Sequence, residues 1–470
     1  MANNNDDTMN PFYNPFFILK ILKSYLFDIN RLRKISNEQL ELYQNNQLRK
    51  MVNFAYTVPV YHDLYKKNGV HPDDIKTLSD LDKLPIISKE IINTYAPSGL
   101  VPTSTNTNNL VKVSTSGTTG KSLSIYVNMY EIIVGLFGYL RTVYEHGLHW
   151  RKNRLSIIGD FAPHTAETGY VKRGLLPKSW FGKLFDTIQW LDTNDSPEHV
   201  LEKLNRFQPD FIGGYTGMLG HLAVLKTQGD GQQISPTVIA STGALLDPNL
   251  KSFIEKAFGS TVFEVYGATE TGPIAYQCKQ QRLYHIMSDF VHLEFVDKQG
   301  NPVSSKQPGH MLVTKFYGGG TPIIRYNAIN DIVAPLYEKH HCGISGDLIH
   351  KIYGRDSIRL YRKDGKIVLA SSLTEIFSRL LYELQTSKVR DMKVVQKDLD
   401  TIDIGLVIDE KQMNHPPSLD EIFHVFQDGF RKKFGPTVHI FVHQITQVSR
   451  NEPRIISHVD SKKIRATGYV

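Results

Sequence analysis

A chain of 470 residues with 41% hydrophobic and 21% charged residues has the composition of a folded globular protein, which excludes a disordered, collagen-like or coiled-coil chain. Its 54 lysines and arginines exceed its 47 aspartates and glutamates by seven. That mild excess suits anionic ligands, but with no Lys/Arg block it makes no case for nucleic acid, and none is expected as a partner. Only two cysteines are present, Cys278 and Cys342, which excludes a disulfide scaffold and favours a reducing, cytoplasmic setting.

The chain starts polar and acidic, Met1 to Asn10, unlike a secretion signal, and no run of about 20 apolar residues suggests a membrane span. Pro11 to Asn30 follows, with Phe16, Phe17, Ile18, Leu19, Ile21, Leu22, Tyr25, Leu26 and Phe27 around Lys20 and Lys23. It reads either as an amphipathic helix on a membrane interface or as an arm docked on its own protein or on a second subunit. Helical spacing runs from Asn37 to Tyr65 with a break at Pro59, and short elements flank Pro85.

The middle of the chain alternates short apolar runs with helical stretches. Val111–Val113, Ile125–Val127, Leu155–Ile158, Phe211–Gly214, Val238–Ser241 and Val262–Val265 are strand candidates. Helices are expected over about 131–144, 219–226 and 250–257. This alternation predicts an α/β core with a largely parallel sheet and ligands at the strands' carboxyl ends. From Tyr284, runs at His292–Val296, Met311–Phe316 and Ile323–Tyr326 suggest a smaller β-subdomain. After Gly354, a turn at 363–365, strands at 393–396 and 402–408, and helices from about 373 and over 419–434 suggest a small α+β unit.

The densest local motif is Ser114-Thr115-Ser116-Gly117-Thr118-Thr119-Gly120-Lys121-Ser122. Glycines let backbone N–H groups turn inward, hydroxyls donate and lysine supplies charge, so the run suits a phosphate cradle. Two residues, not four, separate its glycines, which argues against an ordinary nucleotide-binding P-loop; on spacing alone the run is either a cradle or a turn.

Further motifs follow in order: Tyr266-Gly267-Ala268-Thr269-Glu270-Thr271-Gly272, then Arg325-Tyr326-Asn327-Ala328-Ile329-Asn330-Asp331, then Gly354-Arg355-Asp356. Together with Ser116–Lys121 they resemble the signature stations of the adenylate-forming enzymes. The opening pattern Val58-Pro59-Val60-Tyr61 and Leu84-Pro85-Ile86, and the stretch 278–297, are similar to the phenylacetate–CoA ligase branch, which includes proteins of capsule and polysaccharide loci. The likeness spans roughly residues 45–455. It implies an arm (1–44), a large core of mixed α/β sheets with a β-subdomain (45–353) and a small α+β lid (354–470).

The resemblance implies ATP-dependent activation of a carboxylic acid as its adenylate, followed by acyl transfer. The acceptor would be a thiol, as in CoA or a carrier protein, or an amine, as on an amino sugar. Ser116, Gly117, Thr118, Thr119, Gly120 and Lys121 would cradle the phosphates, with Lys121 as the cation. Thr269 would touch the α-phosphate and Glu270 would hold Mg2+. Asp331 would accept from the ribose hydroxyls, Arg355 would act at the hinge, and Tyr266 and Gly267 would border adenine and acyl group. Tyr215, Gly243 and Ala244 are the acyl-pocket candidates.

Three departures stand out. Ala244 replaces a glutamate, Asn330 replaces a glycine, and the branch's C-terminal Gly-Lys pair is absent from Arg450-Asn451-Glu452-Pro453-Arg454. Lys462, Lys463 or Arg454 is left to supply that charge, although arginine is not equivalent to lysine. The alternative reading is a descendant that binds nucleotide or acyl-adenylate with impaired or partial adenylation.

Cys278 with His285, and His340 with Cys342, form two close pairs that would satisfy tetrahedral Zn2+. Against this, free cysteines are commonly buried hydrophobes. The resemblance favours a structural zinc, with His341 as a rival ligand. Homo-oligomer formation or peripheral membrane contact through the arm completes the expected partners.

Overall fold

Asn14 and Pro15 set the start of the first helix, α1 (Pro15–Asp28). The Asn14 side chain accepts from the N–H groups of Phe16 and Phe17, and proline occupies the first turn, where a missing N–H costs nothing. A helical turn, α2 (Arg31–Lys34), leads to α3 (Asn37–Tyr56), which opens on a reciprocal Ser36–Gln39 cap. Pro59 then starts α4 (Pro59–Lys67), as its interruption of the apolar pattern predicts. The computed structural model describes residues 11–114, 123–161, 186–280, 283–338, 340–356, 358–449, 452–460, 464 and 466–470.

α1 docks on its own protein. Phe17, Ile21, Tyr25 and Ile29 pack against Ile133 and Phe137 of α6 (Met129–Glu145), and Ser24 meets Tyr130 at 3.0 Å between hydroxyls. Arg141 of α6 holds the end of the arm: it donates to the carbonyls of Asp28 and Ile29 and makes a two-pronged pair with the buried Asp289 at 2.6 and 2.8 Å. Removing one partner of such a buried pair costs roughly 3–5 kcal/mol. Before α6 come α5 (Lys89–Tyr95) and a hairpin of β1 (Val111–Ser114) and β2 (Ser124–Val127). α3 runs across the expected 44/45 boundary.

The centre is one sheet of eleven strands. Its parallel half holds β3 (Leu155–Gly159), β4 (Ile188–Asp192), β5 (Phe211–Tyr215), β6 (Val238–Thr242) and β7 (Thr261–Ala268). The connecting helices are α7 (Pro197–Phe207), α8 (Thr216–Thr227) and α9 (Pro248–Phe258). At β7 the sheet changes character. It continues antiparallel through β8 (Gly272–Gln277) and β9 (Tyr284–Ile286) to β10 (Val291–Val296), β11 (Gly309–Lys315), β12 (Asp331–Leu336) and β13 (Leu348–Arg355), in the order β7-β8-β9-β13-β12-β11-β10. The strands expected as a β-subdomain thus form the antiparallel half of the sheet.

Ile323–Tyr326 is not a regular strand. Its only ladder contacts are single bridges from Tyr326 to Val313 and to Ile87, because Arg325 takes a left-handed φ of 46° that breaks the extended run. Beyond Arg355, β14 (Arg359–Tyr361), β15 (Lys366–Leu369) and the terminal β20 (Gly468–Tyr469) form a small sheet. β16 (Val389–Gln396), β17 (Thr401–Ile408), β18 (His439–Ile445) and β19 (Ile455–Ser457) form another, packed with α10 (Thr374–Tyr382) and α11 (Leu419–Phe434) around their own core. Leu381 of α10 leaves that core and joins the one beneath α8 and α9. No helix among the described residues is long and apolar enough to cross a membrane.

Candidate active site

The seam of the sheet builds the site. β7 ends in a tight hairpin turn to β8, closed by the pair Ala268↔Gly272 and an N–H from Thr271 to the Ala268 carbonyl. Gly267 is required there, since a Cβ would stand 2.8 Å from the Gly272 carbonyl oxygen. At the tip Thr269 is exposed, whereas Glu270 folds inward and is buried. Its carboxylate accepts from the Tyr326 hydroxyl at 3.0 Å.

The third motif supplies the other carboxylate. Asp331 opens β12 and accepts from the Tyr266 hydroxyl through one oxygen; its second oxygen, Oδ1, is buried with no hydrogen-bond partner. The turn before it ends at Asn330 with φ 58°, a left-handed conformation that asparagine tolerates, which explains how it stands in for a glycine. Across the ladder, Asp331 is paired with Arg355, the last residue of β13. Burial pushes both carboxyls up from their ordinary range, and the charge of Arg355 draws both down again. Burial and the neighbouring carboxylates hold the hydroxyls of Tyr266 and Tyr326 protonated, so both remain donors. Thr269, Glu270, Tyr266, Gly267, Asp331 and Arg355 therefore gather at one place.

Arg325 of the same motif has a different task. Its guanidinium donates to both Glu294 oxygens at 2.9 and 3.1 Å and to the carbonyls of Asp82 and Leu84. It ties residues 82–84 to the antiparallel half of the sheet. Three residues further, Ile87 donates to the Arg325 carbonyl and accepts from Asn327. Lys89, at the start of α5, is thereby held where its charge also lowers the Glu270 carboxyl. Sequence reading missed this lysine. The signal was its place three residues beyond Ile86 in the Leu84-Pro85-Ile86 pattern.

Tyr215, Gly243 and Ala244 lie at the carboxyl ends of β5 and β6, next to β7. The Tyr215 ring covers Gly243 so closely that a Cβ there would lie 2.3 Å from it. Thr216 donates toward the Ala244 carbonyl at 3.1 Å and so stitches the two strand ends together. Ser116, Gly117, Thr118, Thr119, Gly120 and Lys121 lie outside the described residues. On either side of them, β1 and β2 pair antiparallel, with the Ser114 and Ser124 hydroxyls 2.8 Å apart. Lys462 and Lys463 also lie outside the described residues. Arg454 is engaged elsewhere, on Asp391 at 2.8 Å and on the carbonyls of Ser449 and Glu452.

Three of the four candidate zinc ligands, Cys278, His285 and Cys342, form one cluster, and His340 touches it through Cys342. Ligand atoms of Cys278, His285 and Cys342 all lie within 4.8 Å of one another. Cys342 Sγ is 3.2 Å from His285 Nε2 and 3.1 Å from His340 Nδ1. Zinc bonds of about 2.0–2.3 Å put ligand atoms roughly 3–4 Å apart, which matches this spacing. His340 Nε2 faces the Gly346 carbonyl at 3.3 Å, a fitting outer partner for a ligating imidazole. His341 points to solvent as an exposed residue, which favours His340.

Comparison with known proteins agrees with this geometry. Residues 186–316, which hold the second motif, match the family model described as AMP-binding enzyme. Protein CapK of Staphylococcus aureus is 26% identical over 399 residues, covering 84% of this chain and 83% of CapK. The phenylacetate-coenzyme A ligase of Aromatoleum evansii is 26% identical over 306 residues, covering 64% of this chain and 67% of the ligase. The chain is thus similar to adenylate-forming enzymes of the phenylacetate–CoA ligase branch. Its fold is also that of 2-hydroxyisobutyryl-CoA ligase in its postadenylation state with 2-HIB-AMP, at a TM-score of 0.70, 15% identity and 91% coverage of both chains.

Proposed function

We propose that this protein activates a carboxylic acid with ATP, releasing pyrophosphate and forming an acyl-adenylate, and then transfers the acyl group to the thiol of CoA. The observation that carries this reading is the buried Asp331 Oδ1 without a partner, beside Tyr266 and opposite Arg355. A buried carboxylate oxygen left unpaired is costly, and a ribose hydroxyl would satisfy it. Glu270 fits a magnesium ligand, since Mg2+ is commonly held by one or two carboxylates and substrate phosphates. Bound there, the ion would neutralise phosphate oxygens. Arg355, whose charge acts on both carboxylates, and Lys89, whose charge acts on Glu270, would stabilise charge growing on the α-phosphate, together with Lys121 from the glycine loop. Thr269, exposed at the hairpin tip, would donate to the same phosphate. Tyr215, Gly243 and Ala244 would border the acyl group.

Residues from Gly354 onward would act as a lid turning about Gly354–Arg355 between the two half-reactions. Cys278, His285, His340 and Cys342 would hold one structural zinc, with no position open for chemistry. A carrier-protein thiol or the amine of an amino sugar is the competing acceptor.

The test is to incubate the full chain with ATP, Mg2+, CoA and a panel of aromatic, fatty and hydroxy acids, and to follow AMP and thioester. Acid-dependent AMP release with thioester formation supports the reading; acid-dependent AMP release without thioester moves the acceptor to a carrier or amine. The second reading, a binding protein with impaired adenylation, is favoured by one observation: Arg454, in the stretch where the branch carries its lysine, is engaged on Asp391. Binding of ATP with no AMP release for any acid would favour it.

A further inference from the structure

α1 has two faces of different fate. Phe17, Ile21 and Tyr25 pack inward on α6. Phe16, Leu19, Leu22, Leu26 and Phe27, on the opposite face, are each more than half exposed, Phe16 at 81%. Lys20 and Lys23 lie exposed among them and Lys34 follows in α2. A solvent-facing helix face of this size and apolarity is rarely left bare.

We infer that this face lies on an anionic lipid surface, as an interfacial helix that brings the enzyme to a membrane without crossing it. Charge is the first argument. Residues 11–36 carry five basic residues and one acidic residue, and that residue, Asp28, is buried and paired with Arg31. Arg33 is also paired, with Glu145, and Lys20 stands over the Tyr130 ring, its ammonium 3.7 Å from the centroid, which leaves Lys23 and Lys34 for a partner. Lysines on such a face place their stems along the apolar residues and their ammonium groups at headgroup level.

A second copy of the chain suits this face less well. A two-fold interface would set the same lysines against each other. A 14-residue helix, about 21 Å long and roughly 10 Å wide, also offers on the order of 200 Å² against the about 800 Å² per partner of a stable interface. The inner face is meanwhile fixed by Arg141, by Ser24–Tyr130 and by the Trp150 N–H on the Tyr25 hydroxyl at 2.9 Å, so the helix has no need to rearrange to present its outer face.

The test is co-sedimentation of the full chain with vesicles of phosphatidylcholine alone and with added phosphatidylglycerol, at low and high salt. Partitioning about 10- to 100-fold stronger into the anionic vesicles, weakened by salt, is the expected result, at about a factor of five per lysine. The triple variant Phe16→Ser/Leu19→Ser/Leu26→Ser loses this partitioning while its Tm stays that of the parent, because all three side chains point outward. Lys23→Gln/Lys34→Gln loses the preference for anionic lipid. The inference is overturned if the parent does not bind vesicles, binds both kinds equally, or binds as well with the three serines. It is also overturned if sedimentation velocity shows a dimer that the serine variant dissolves, which would assign the face to a second copy.

Discussion

The two ends of the adenylation machinery are built differently. At the seam of the sheet, Glu270 and Asp331 are buried and hydrogen-bonded to Tyr326 and Tyr266; the charge of Arg355 acts on both and that of Lys89 on Glu270. In the C-terminal unit, the corresponding cation position reads Glu452-Pro453-Arg454, and the arginine is held by Asp391. On the proposed reading, the difference teaches that the charge needed at the α-phosphate would be concentrated in the core and its first helical segments rather than in the C-terminal unit. A low-dielectric, pre-arranged site makes each such charge count for more than it would at an exposed tail.

Each prediction breaks or sharpens that contrast. Glu270→Gln keeps the shape and the Tyr326 contact but removes the metal's carboxylate, and acid-dependent ATP–pyrophosphate exchange should fall about 10³-fold. Lys89→Met should lower exchange about 10²-fold with the Tm unchanged; an unaltered rate would return the role to the C-terminal end. Asp331→Asn should raise the KM for ATP about 10-fold or more, with a smaller change in kcat, since it weakens hydrogen bonds to ribose held equally in ground and transition states. A chelator strong enough to strip zinc should lower the Tm by about 5 °C or more, and elemental analysis should find one zinc per chain beforehand; a Tm indifferent to chelation would leave Cys278 and Cys342 as buried hydrophobes. Arg454→Ala should change exchange by less than about 3-fold, because its guanidinium works within its own sheet.

The candidate site was legible mainly through the resemblance, whose motifs single out residues at or beside strand ends. Glu270, Asp331 and Arg355 are examples, and so are the two Cys/His pairs. Lys89 was not, because it lies about 180 residues before Glu270 and reaches it only through the Ile87–Tyr326 bridge, a tertiary contact with no local signature. Among the elements, α11 falls where its apolar period predicts, at 419–434. β8 and β12 escaped notice because glycine and proline interrupt Gly272–Gln277 and Asp331–Leu336, residues that ordinarily mark turns. Ile323–Tyr326 was misread in the opposite sense, since nothing in its β-branched composition reveals that Arg325 turns left-handed to reach Glu294. For the arm, the sequence left docking and membrane contact as alternatives, and the helix has one face for docking and another still exposed.

The most direct measurement is acid-dependent ATP–pyrophosphate exchange by the full chain, run in parallel with its Lys89→Met and Arg454→Ala variants. The account predicts exchange by the parent, near-parental exchange by Arg454→Ala and a loss of about two orders of magnitude in Lys89→Met. Exchange that survives loss of Lys89 but collapses with Arg454 would contradict it.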